Sequence, residues 1–203
     1  MPSIALVLFD LDDVLCSYDR PAHIARIAAL AGKQPEDVHR AIWASGFDAE
    51  ADAGAFDADQ YLRGIHARIG YKLTRLEWVA GRKATTRPAP AVLALVKTVA
   101  LKARVAVLTN NTTLVTDHID EFLPELRSHF GEAVYASAEL GAAKPDAEAY
   151  RRCLARLDMA PAETLFIDDL EENVAGARQA GLQAHRHTSL DALTDVLRHH
   201  RML

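Results

Sequence analysis

The sequence has few cysteines, no excess of basic residues and no long apolar run. Only two of its 203 residues are cysteine, Cys16 and Cys153, which is too few for a disulfide framework or a cysteine metal site. The net charge is -5, so there is no basic excess to follow a nucleic-acid backbone. No apolar run is long enough to cross a membrane, and the first one lacks the basic flank of a signal peptide. We therefore expect a cytoplasmic protein that binds neither nucleic acid nor membranes.

The remaining composition is that of an ordinary globular protein. Hydrophobic residues make up 50% of the chain and charged residues 25%. A chain of this length corresponds to one domain, or to one domain with a sizeable insertion. It is long enough to fold alone, so a monomer and a homodimer both remain open.

The apolar pattern predicts a parallel sheet. Residues 4–9 form a short apolar run rich in β-formers, the pattern of a strand that is buried on both faces. From residue 88 onward the chain alternates between helices at 89–101, 113–122, 145–157, 170–180 and from 189, and strands at 104–109, 133–136, 164–168 and 182–185. Such alternation predicts an α/β fold with a doubly wound, Rossmann-like parallel sheet and right-handed crossovers.

Residues 16–87 follow a different pattern, and we refer to them as the insertion. Apolar spacing predicts four helices there, at 22–30, 35–46, 57–69 and from 74, with residues 47–56 as a polar link and no strand. The chain is thus predicted to consist of an α/β core, residues 1–15 and 88–203, and an inserted helical bundle, residues 16–87.

Polar groups follow the predicted strands at the edge of the sheet where ligands bind in such folds. They are Asp10, Asp12 and Asp13 after the first strand, Thr109, Asn110 and Asn111 after the second, Lys144 in a loop, and Asp168 and Asp169 after a later strand. Crowded carboxylates need a compensating cation, and Mg²⁺ is the usual one for oxygen ligands. A cation, metal ligands and a hydroxyl donor together suit phosphoryl transfer, in which catalysis is mostly positioning and charge neutralisation.

Four segments resemble, in order, the four motifs of the haloacid dehalogenase (HAD) superfamily. They are FDLDDVL at residues 9–15, LTNN at 108–111, GAAKPD at 141–146 and FIDDLEEN at 166–173. The resemblance is closest to the phosphatase branch with a helical cap, in particular to small sugar-phosphate phosphatases and the N-terminal phosphatase domain of soluble epoxide hydrolase. It implies a Mg²⁺-dependent hydrolase of a small phosphate ester, with a sugar phosphate favoured, and residues 16–87 as the cap.

The resemblance also implies roles for the acidic residues. Asp10 would be the nucleophile that forms an aspartyl-phosphate. Asp12 would be the general acid and then the general base, aided by a raised pKa, and would ligate the metal through its backbone carbonyl. Asp169 aligns with the direct metal ligand of the family, and Asp168 is a second candidate that would support it. Asp10 completes the implied metal site.

Other residues are implied to handle the phosphoryl group. Thr109 and Asn110 would hold it, and Lys144 would neutralise both Asp10 and the phosphate. Within the insertion, most of the aromatic residues are expected to form a small core: Trp43, Phe47, Phe56, Tyr61 and Trp78. One or two of these, with Tyr18, Arg20 or His23, are expected to face the site and select the substrate.

The chain departs from the family pattern at two positions. Asp13 stands where the family usually has glycine in a tight turn, and aspartate tolerates left-handed backbone better than most residues. Asn173 replaces a frequent second acid, which predicts a less charged metal site.

Three alternative functions remain open. A phosphoglucomutase shares every motif and differs in returning the phosphoryl group to a sugar. A 2-haloacid dehalogenase uses the same nucleophile, but it needs neither a metal nor the second aspartate. A non-catalytic phospho-acceptor module also combines acids, a threonine and a lysine on a parallel sheet, although its phosphorylated acid lies on a later strand.

Overall fold

The computed structural model of the chain describes residues 3–203, and its centre is a five-stranded parallel sheet. The strands of this part of the chain are Leu6–Phe9 (β1), Cys16–Tyr18 (β2), Thr86–Pro88 (β3), Arg104–Thr109 (β4), Val134–Ala136 (β5), Thr164–Asp168 (β6) and Gln183–Arg186 (β7). The sheet has the order β5-β4-β1-β6-β7, and each of its pairings is parallel. The predicted α/β fold is therefore confirmed, with the first strand at its centre.

Helices connect these strands. Those in residues 3–203 are Arg20–Ala31 (α1), Pro35–Ile42 (α2), Phe47–Asp52 (α3), Ala58–Ile69 (α4), Arg75–Thr85 (α5), Pro90–Val99 (α6), Thr113–Asp117 (α7), Ile119–Phe122 (α8), Glu125–Phe130 (α9), Ser137–Leu140 (α10), Ala147–Leu157 (α11), Glu171–Gln179 (α12) and Leu190–His199 (α13). A short 3₁₀ turn, Pro161–Glu163, precedes β6. None of the helices in this range is both long and apolar enough to span a membrane.

The sheet is buried on both faces. Side chains alternate along a strand, so Val7 and Phe9 of β1 join one apolar cluster while Leu6 and Leu8 join another. Helices α6 and α13 contribute to the first cluster, and α11 and α12 to the second. Because apolar residues cover both faces, the ends of the strands are left for polar groups.

Helices α1 to α5 lie within the insertion, and capping residues mark the starts of three of them and glycines the ends of two. Helix α2 ends at Ile42 and not at the predicted residue 46. Asp19, Asp57 and Thr74 each accept a hydrogen bond from a backbone N–H in the first turn of α1, α4 and α5. Gly32 and Gly70 follow α1 and α4 in the left-handed conformation, as expected of helix-ending glycines.

The sequence missed several short elements. β2 and β3 form a two-stranded antiparallel ribbon at the two ends of the insertion, where no strand was predicted. Each has three residues, too few to show an alternating pattern. Helix α3 occupies the predicted polar link, and the single helix predicted at 113–122 is broken at His118 into α7 and α8. Helices α9 and α10 were also not predicted, because they have few residues.

The insertion packs directly on the core. Its buried residues Val38, Ile42 and Ile65 belong to the same apolar cluster as Val7 and Phe9 of the central strand. The insertion and the core thus share a continuous hydrophobic interior, which favours one fixed arrangement of the two.

Candidate active site

The predicted site residues meet where the parallel strands end. Asp10 directly follows β1, Asn110 follows β4 and Asp169 follows β6, while Lys144 lies in the loop between α10 and α11. A cavity of about 780 Å³ opens at this edge, between the sheet and the insertion. Its walls include the predicted residues Asp10, Asp12, Thr109, Asn110, Lys144 and Asp169, whereas Asp168 is fully buried beside them.

Lys144 is a buried cation between two carboxylates. Its side chain is almost fully buried, and Nζ lies 2.8 Å from Asp10 Oδ1 and 2.6 Å from Asp168 Oδ2. Burial disfavours the charged form of the lysine, but the two acids outweigh this and hold the pKa of Lys144 above its usual value. The lysine therefore remains charged and neutralises part of the acidic cluster.

The backbone of Lys144 is held by neighbouring elements. The side chain of Asn110 accepts from Lys144 N–H at 2.9 Å and donates to Lys144 C=O at 2.7 Å. Gly176 of α12 packs against the next residue so closely that an added Cβ would lie 2.2 Å from Pro145 O. Asn110 therefore positions Lys144, a contact that the sequence did not predict, while its contact with a phosphoryl group remains a prediction.

The carboxylates of Asp10, Asp168 and Asp169 form a cluster that fits a divalent cation. One oxygen from each lies within 4.8 Å of the others. Asp10 Oδ1 is buried and makes no directed hydrogen bond within residues 3–203, although it has the ion pair with Lys144. Burial, together with the charge of Asp168, raises the pKa of Asp10 to about 7 against the opposing effect of Lys144. Hard oxygen ligands of this kind suit Mg²⁺.

The two acids after β6 differ in environment. Asp168 is buried and accepts hydrogen bonds from Lys144 Nζ at 2.6 Å, from Asn173 Nδ2 at 3.1 Å and from Leu170 N–H at 2.9 Å. Asp169 is half-buried and lines the cavity. An acid in place of Asn173 would set a second carboxylate against Asp168, so the amide suits this position.

Asp12 is paired with a cation from the insertion. Arg82, which lies on α5 and is 2% exposed, donates from its guanidinium to Asp12 Oδ1. Asn111 Nδ2 lies 3.3 Å from Asp12 Oδ2. Burial by itself favours a higher pKa, but the charge and hydrogen bond of Arg82 outweigh it and lower the pKa of Asp12. The expectation of a raised pKa for Asp12 is therefore wrong in this arrangement.

Arg82 is a site residue that the sequence did not single out, and the contact of Asn111 with Asp12 was not predicted either. Asn111 Nδ2 also donates to the hydroxyl of Thr109 at 2.8 Å, which links Thr109 to Asp12. The second asparagine of the 108–111 segment was the available signal for this role. Nothing in the local pattern distinguished Arg82 from the other charged residues of its helix.

The turn after Asp12 has the predicted backbone conformation. Asp13 has φ = 59°, in the left-handed region that favours glycine. Its carboxylate accepts a hydrogen bond from Tyr18 N–H at 3.3 Å, which ties the turn to β2. The aspartate is therefore accommodated where the family usually has glycine.

The insertion supplies the opposite wall of the cavity. Tyr18, Arg20 and Trp43 line it, in agreement with the expectation that some of these residues face the site. The expected core residues Phe47, Tyr61 and Trp78 are buried, and so is His23, while Phe56 packs partly buried against them.

Two acids of α3 also line the cavity and were not predicted. Burial raises the pKa of Asp48 and Asp52, and the neighbouring Asp48 raises that of Asp52 further. Asp48 Oδ1 accepts a hydrogen bond from the hydroxyl of Tyr61 at 2.6 Å. The carboxyl groups of these two residues give the wall hydrogen-bonding oxygens.

The chain is similar to known hydrolases over nearly its whole length. Residues 4–181 match the haloacid dehalogenase-like hydrolase family. The chain is 31% identical over 193 residues to "Phosphatase MT3486" of Mycobacterium tuberculosis, covering 90% of this chain and 87% of that protein.

Solved structures share the fold. A HAD-like family hydrolase from Porphyromonas gingivalis superposes with a TM-score of 0.82 at 26% identity, covering 97% of this chain and 99% of that chain. The HAD family enzyme BT-2542 from Bacteroides thetaiotaomicron, solved in complex with magnesium and inorganic phosphate, superposes with a TM-score of 0.75 at 22% identity, covering 92% of this chain and 95% of that chain. With the match over residues 4–181, these similarities show that the chain belongs to the haloacid dehalogenase-like hydrolases, a family of enzymes.

Proposed function

We propose that this protein is a Mg²⁺-dependent phosphomonoester hydrolase that acts through an aspartyl-phosphate on Asp10. The observation that carries the proposal is the placement of Asp10 at the cavity floor, against Lys144 and beside Asp168 and Asp169. A nucleophilic carboxylate, a buried cation and ligands for a divalent ion are the parts that phosphoryl transfer needs. The name of the Mycobacterium relative and the magnesium and phosphate of the Bacteroides structure support it.

Two balanced steps account for the reaction. A carboxylate oxygen of Asp10 attacks phosphorus, the bond to the leaving oxygen breaks, and the protonated form of Asp12, a minor form beside Arg82, gives that oxygen its proton. In the second step Asp12 takes a proton from water, the water oxygen attacks phosphorus, and the bond to Asp10 breaks to release inorganic phosphate. Thr109 and Lys144 hold and neutralise the phosphoryl oxygens. Bound Mg²⁺ would supply further charge neutralisation of these oxygens.

We further propose that residues 16–87 act as a cap on the core of residues 1–15 and 88–203. The cap would exclude bulk water and contact the leaving group through Arg20, Trp43 and Asp48, which line the cavity above the strand ends. Carboxylates accept hydrogen bonds from hydroxyl groups, and an aromatic ring packs against a carbon skeleton. This wall therefore favours a small sugar phosphate as substrate.

The test is phosphate release from a panel of sugar, nucleotide and other small phosphomonoesters, with Mg²⁺ and again with a chelator. We expect release from a few substrates that the chelator abolishes. Asp10→Asn should lower the rate by roughly 10³-fold or more, because the covalent step is lost. The matched control Asp191→Asn, at an exposed position of α13, should leave the rate unchanged.

Other outcomes would identify the alternatives. Full activity in Asp10→Asn contradicts the proposed nucleophile. Isomerised sugar phosphate in place of free phosphate indicates a mutase, and halide release from a 2-haloacid indicates a dehalogenase. A stable phosphoprotein without turnover indicates a phospho-acceptor module.

A further inference from the structure

The two aspartates of the first motif are neutralised by different buried cations. Lys144, from the core, lies 2.8 Å from Asp10 Oδ1. Arg82, from the insertion, binds Asp12 Oδ1 and is separated from it by 70 residues of chain. Like charges so close in sequence repel, and the charge of Asp12 adds to the raised pKa of Asp10. Each of the two carboxylates therefore has a buried cation of its own.

Arg82 is itself held firmly. Its guanidinium carbon lies 3.6 Å from the centre of the Tyr18 ring and 5.8 Å from that of Phe122, within cation–π range. Arg82 Nε is buried and, among residues 3–203, has no hydrogen-bond partner, so Asp12 is the acceptor that orients the group. An arginine fixed by packing and by one carboxylate in turn fixes the rotamer of that carboxylate.

The pairing leaves one oxygen of Asp12 available for chemistry. Arg82 takes Oδ1, whereas the contact of Asn111 with Oδ2 is long, at 3.3 Å. Among residues 3–203, Arg82 is the only cation paired with Asp12, so without it the Asp12 side chain loses the partner that sets its rotamer.

We propose that Arg82 is a positioning residue for the acid–base step, which holds Asp12 with Oδ2 toward the leaving oxygen. The inference rests on the proposed phosphatase function. Because Arg82 belongs to α5, the insertion contributes to proton transfer as well as to the wall of the cavity. Helix α5 continues directly into β3, so the position of Arg82 is tied to the ribbon that joins the insertion to the core.

The first test compares two leaving groups. An alkyl phosphate needs its leaving oxygen protonated, whereas 4-nitrophenyl phosphate has a good leaving group and does not. The ratio kcat/KM reports formation of the aspartyl-phosphate, the first irreversible step. Arg82→Gln should lower kcat/KM about 100-fold for the alkyl phosphate and less than about 5-fold for the nitrophenyl ester, since general acid catalysis is worth about 10²- to 10⁴-fold. Arg82→Lys should restore part of the alkyl activity.

A double variant separates positioning from a structural role. If Arg82 acts through Asp12, then adding Arg82→Gln to Asp12→Asn should change kcat/KM by less than about 2-fold. The double variant leaves no unpaired charge in this buried pair, so it should fold even if Arg82→Gln alone does not. The control Arg75→Gln removes an arginine of the same helix that pairs with Asp59 at the surface, and it should leave both substrates unaffected.

Equal losses on both substrates, or a further loss in the Asp12→Asn background, would overturn the positioning role. A wild-type protein that releases phosphate from no ester of the whole panel would instead reject the proposed function, and the two failures are thus distinguishable.

Discussion

At the scale of single residues, the site depends on buried charges that are individually costly. Lys144 and Arg82 are 4% and 2% exposed, and each would destabilise the fold without its carboxylate partners. The structure accommodates them because each one neutralises an acid of the first motif. The pKa values of Asp10 and Asp12 shift in opposite directions because burial and the charge of Asp168 outweigh Lys144 at Asp10, whereas Arg82 outweighs burial at Asp12.

His23 is another buried titratable residue, and it remains neutral. It is 1% exposed, and its Nδ1 lies 2.7 Å from the hydroxyl of Tyr18. Its Nε2 has no partner in the described part of the chain and lies against Gly81, where an added Cβ would come within 2.9 Å. Burial, with the charge of Arg82, lowers the pKa of His23 from 6.5 to about 3.

We expect this histidine to make the protein less stable in mild acid. Below a pH of 6.5 the unfolded chain binds a proton at His23 that the folded chain excludes until about pH 3. The free energy of unfolding should therefore fall with falling pH by up to about 1.4 kcal/mol per unit across this window. Urea unfolding between about pH 7 and about pH 5 should show a loss about 2 kcal/mol larger in the wild type than in His23→Gln.

His66→Gln is the control for this measurement, because His66 is exposed on α4. It should keep the pH dependence of the wild type. An unchanged slope in His23→Gln would show that His23 is protonated to the same extent in both states.

At the scale of elements, α3 connects the insertion to α10, the helix that follows the edge strand β5 of the core. The hydroxyl of Ser137, at the start of α10, donates to Asp52 C=O at 2.6 Å. Gly54, just after α3, packs so closely against α10 that an added Cβ would lie 2.7 Å from Ala138 O. This contact lies beside the cavity wall formed by Asp48 and Asp52, so the position of that wall depends on it.

Ser137→Ala should loosen this connection. It removes the hydrogen bond to Asp52 C=O, worth about 1 kcal/mol, and leaves that carbonyl without its donor. It also removes the hydrogen bond that the hydroxyl accepts from Asn111 N–H at 3.2 Å. Hydrogen exchange followed by mass spectrometry should show faster exchange of residues 47–56, with β4 and β6 unchanged. Ser128→Ala, whose hydroxyl bonds within its own exposed turn to Glu125 C=O, should exchange like the wild type. Unchanged exchange in Ser137→Ala would show that the hydrogen bond does not hold α3.

At the scale of the whole molecule, the insertion and the core share one apolar cluster. The chain has two tryptophans, Trp43 and Trp78, and both belong to the insertion. Their fluorescence therefore reports on the insertion, whereas far-ultraviolet circular dichroism reports on every helix and strand. The shared interior predicts that neither part unfolds without the other.

Equilibrium unfolding should consequently give coincident transitions by the two probes, with the same midpoint and the same slope in denaturant. A tryptophan transition at a lower denaturant concentration would instead show that the insertion opens before the core. Adding Mg²⁺ should move both midpoints upward together, since a ligand that binds only the folded state stabilises it by mass action.

Local patterns were sufficient for most of the architecture. Two strands, β4 and β6, have the predicted ends, α4 and α5 begin after the predicted caps Asp57 and Thr74, and α1 and α4 end before the predicted glycines. Periodicity failed for elements of only a few residues, such as β2 and β3, because pairing with a distant strand defines them.

The sequence by itself determined the fold class, the family and the meeting of Asp10, Thr109, Lys144 and Asp169 at one edge of the sheet. These follow from residues close together in the chain, since each strand carries its polar group at its own end.

Only the tertiary structure decided which charge neutralises which acid. Asp12 meets Arg82 across 70 residues of chain and Asn111 across 99, and these contacts lower a pKa that was expected to rise. A pKa depends on the burial and the charges around a group, and both are set by how distant segments pack.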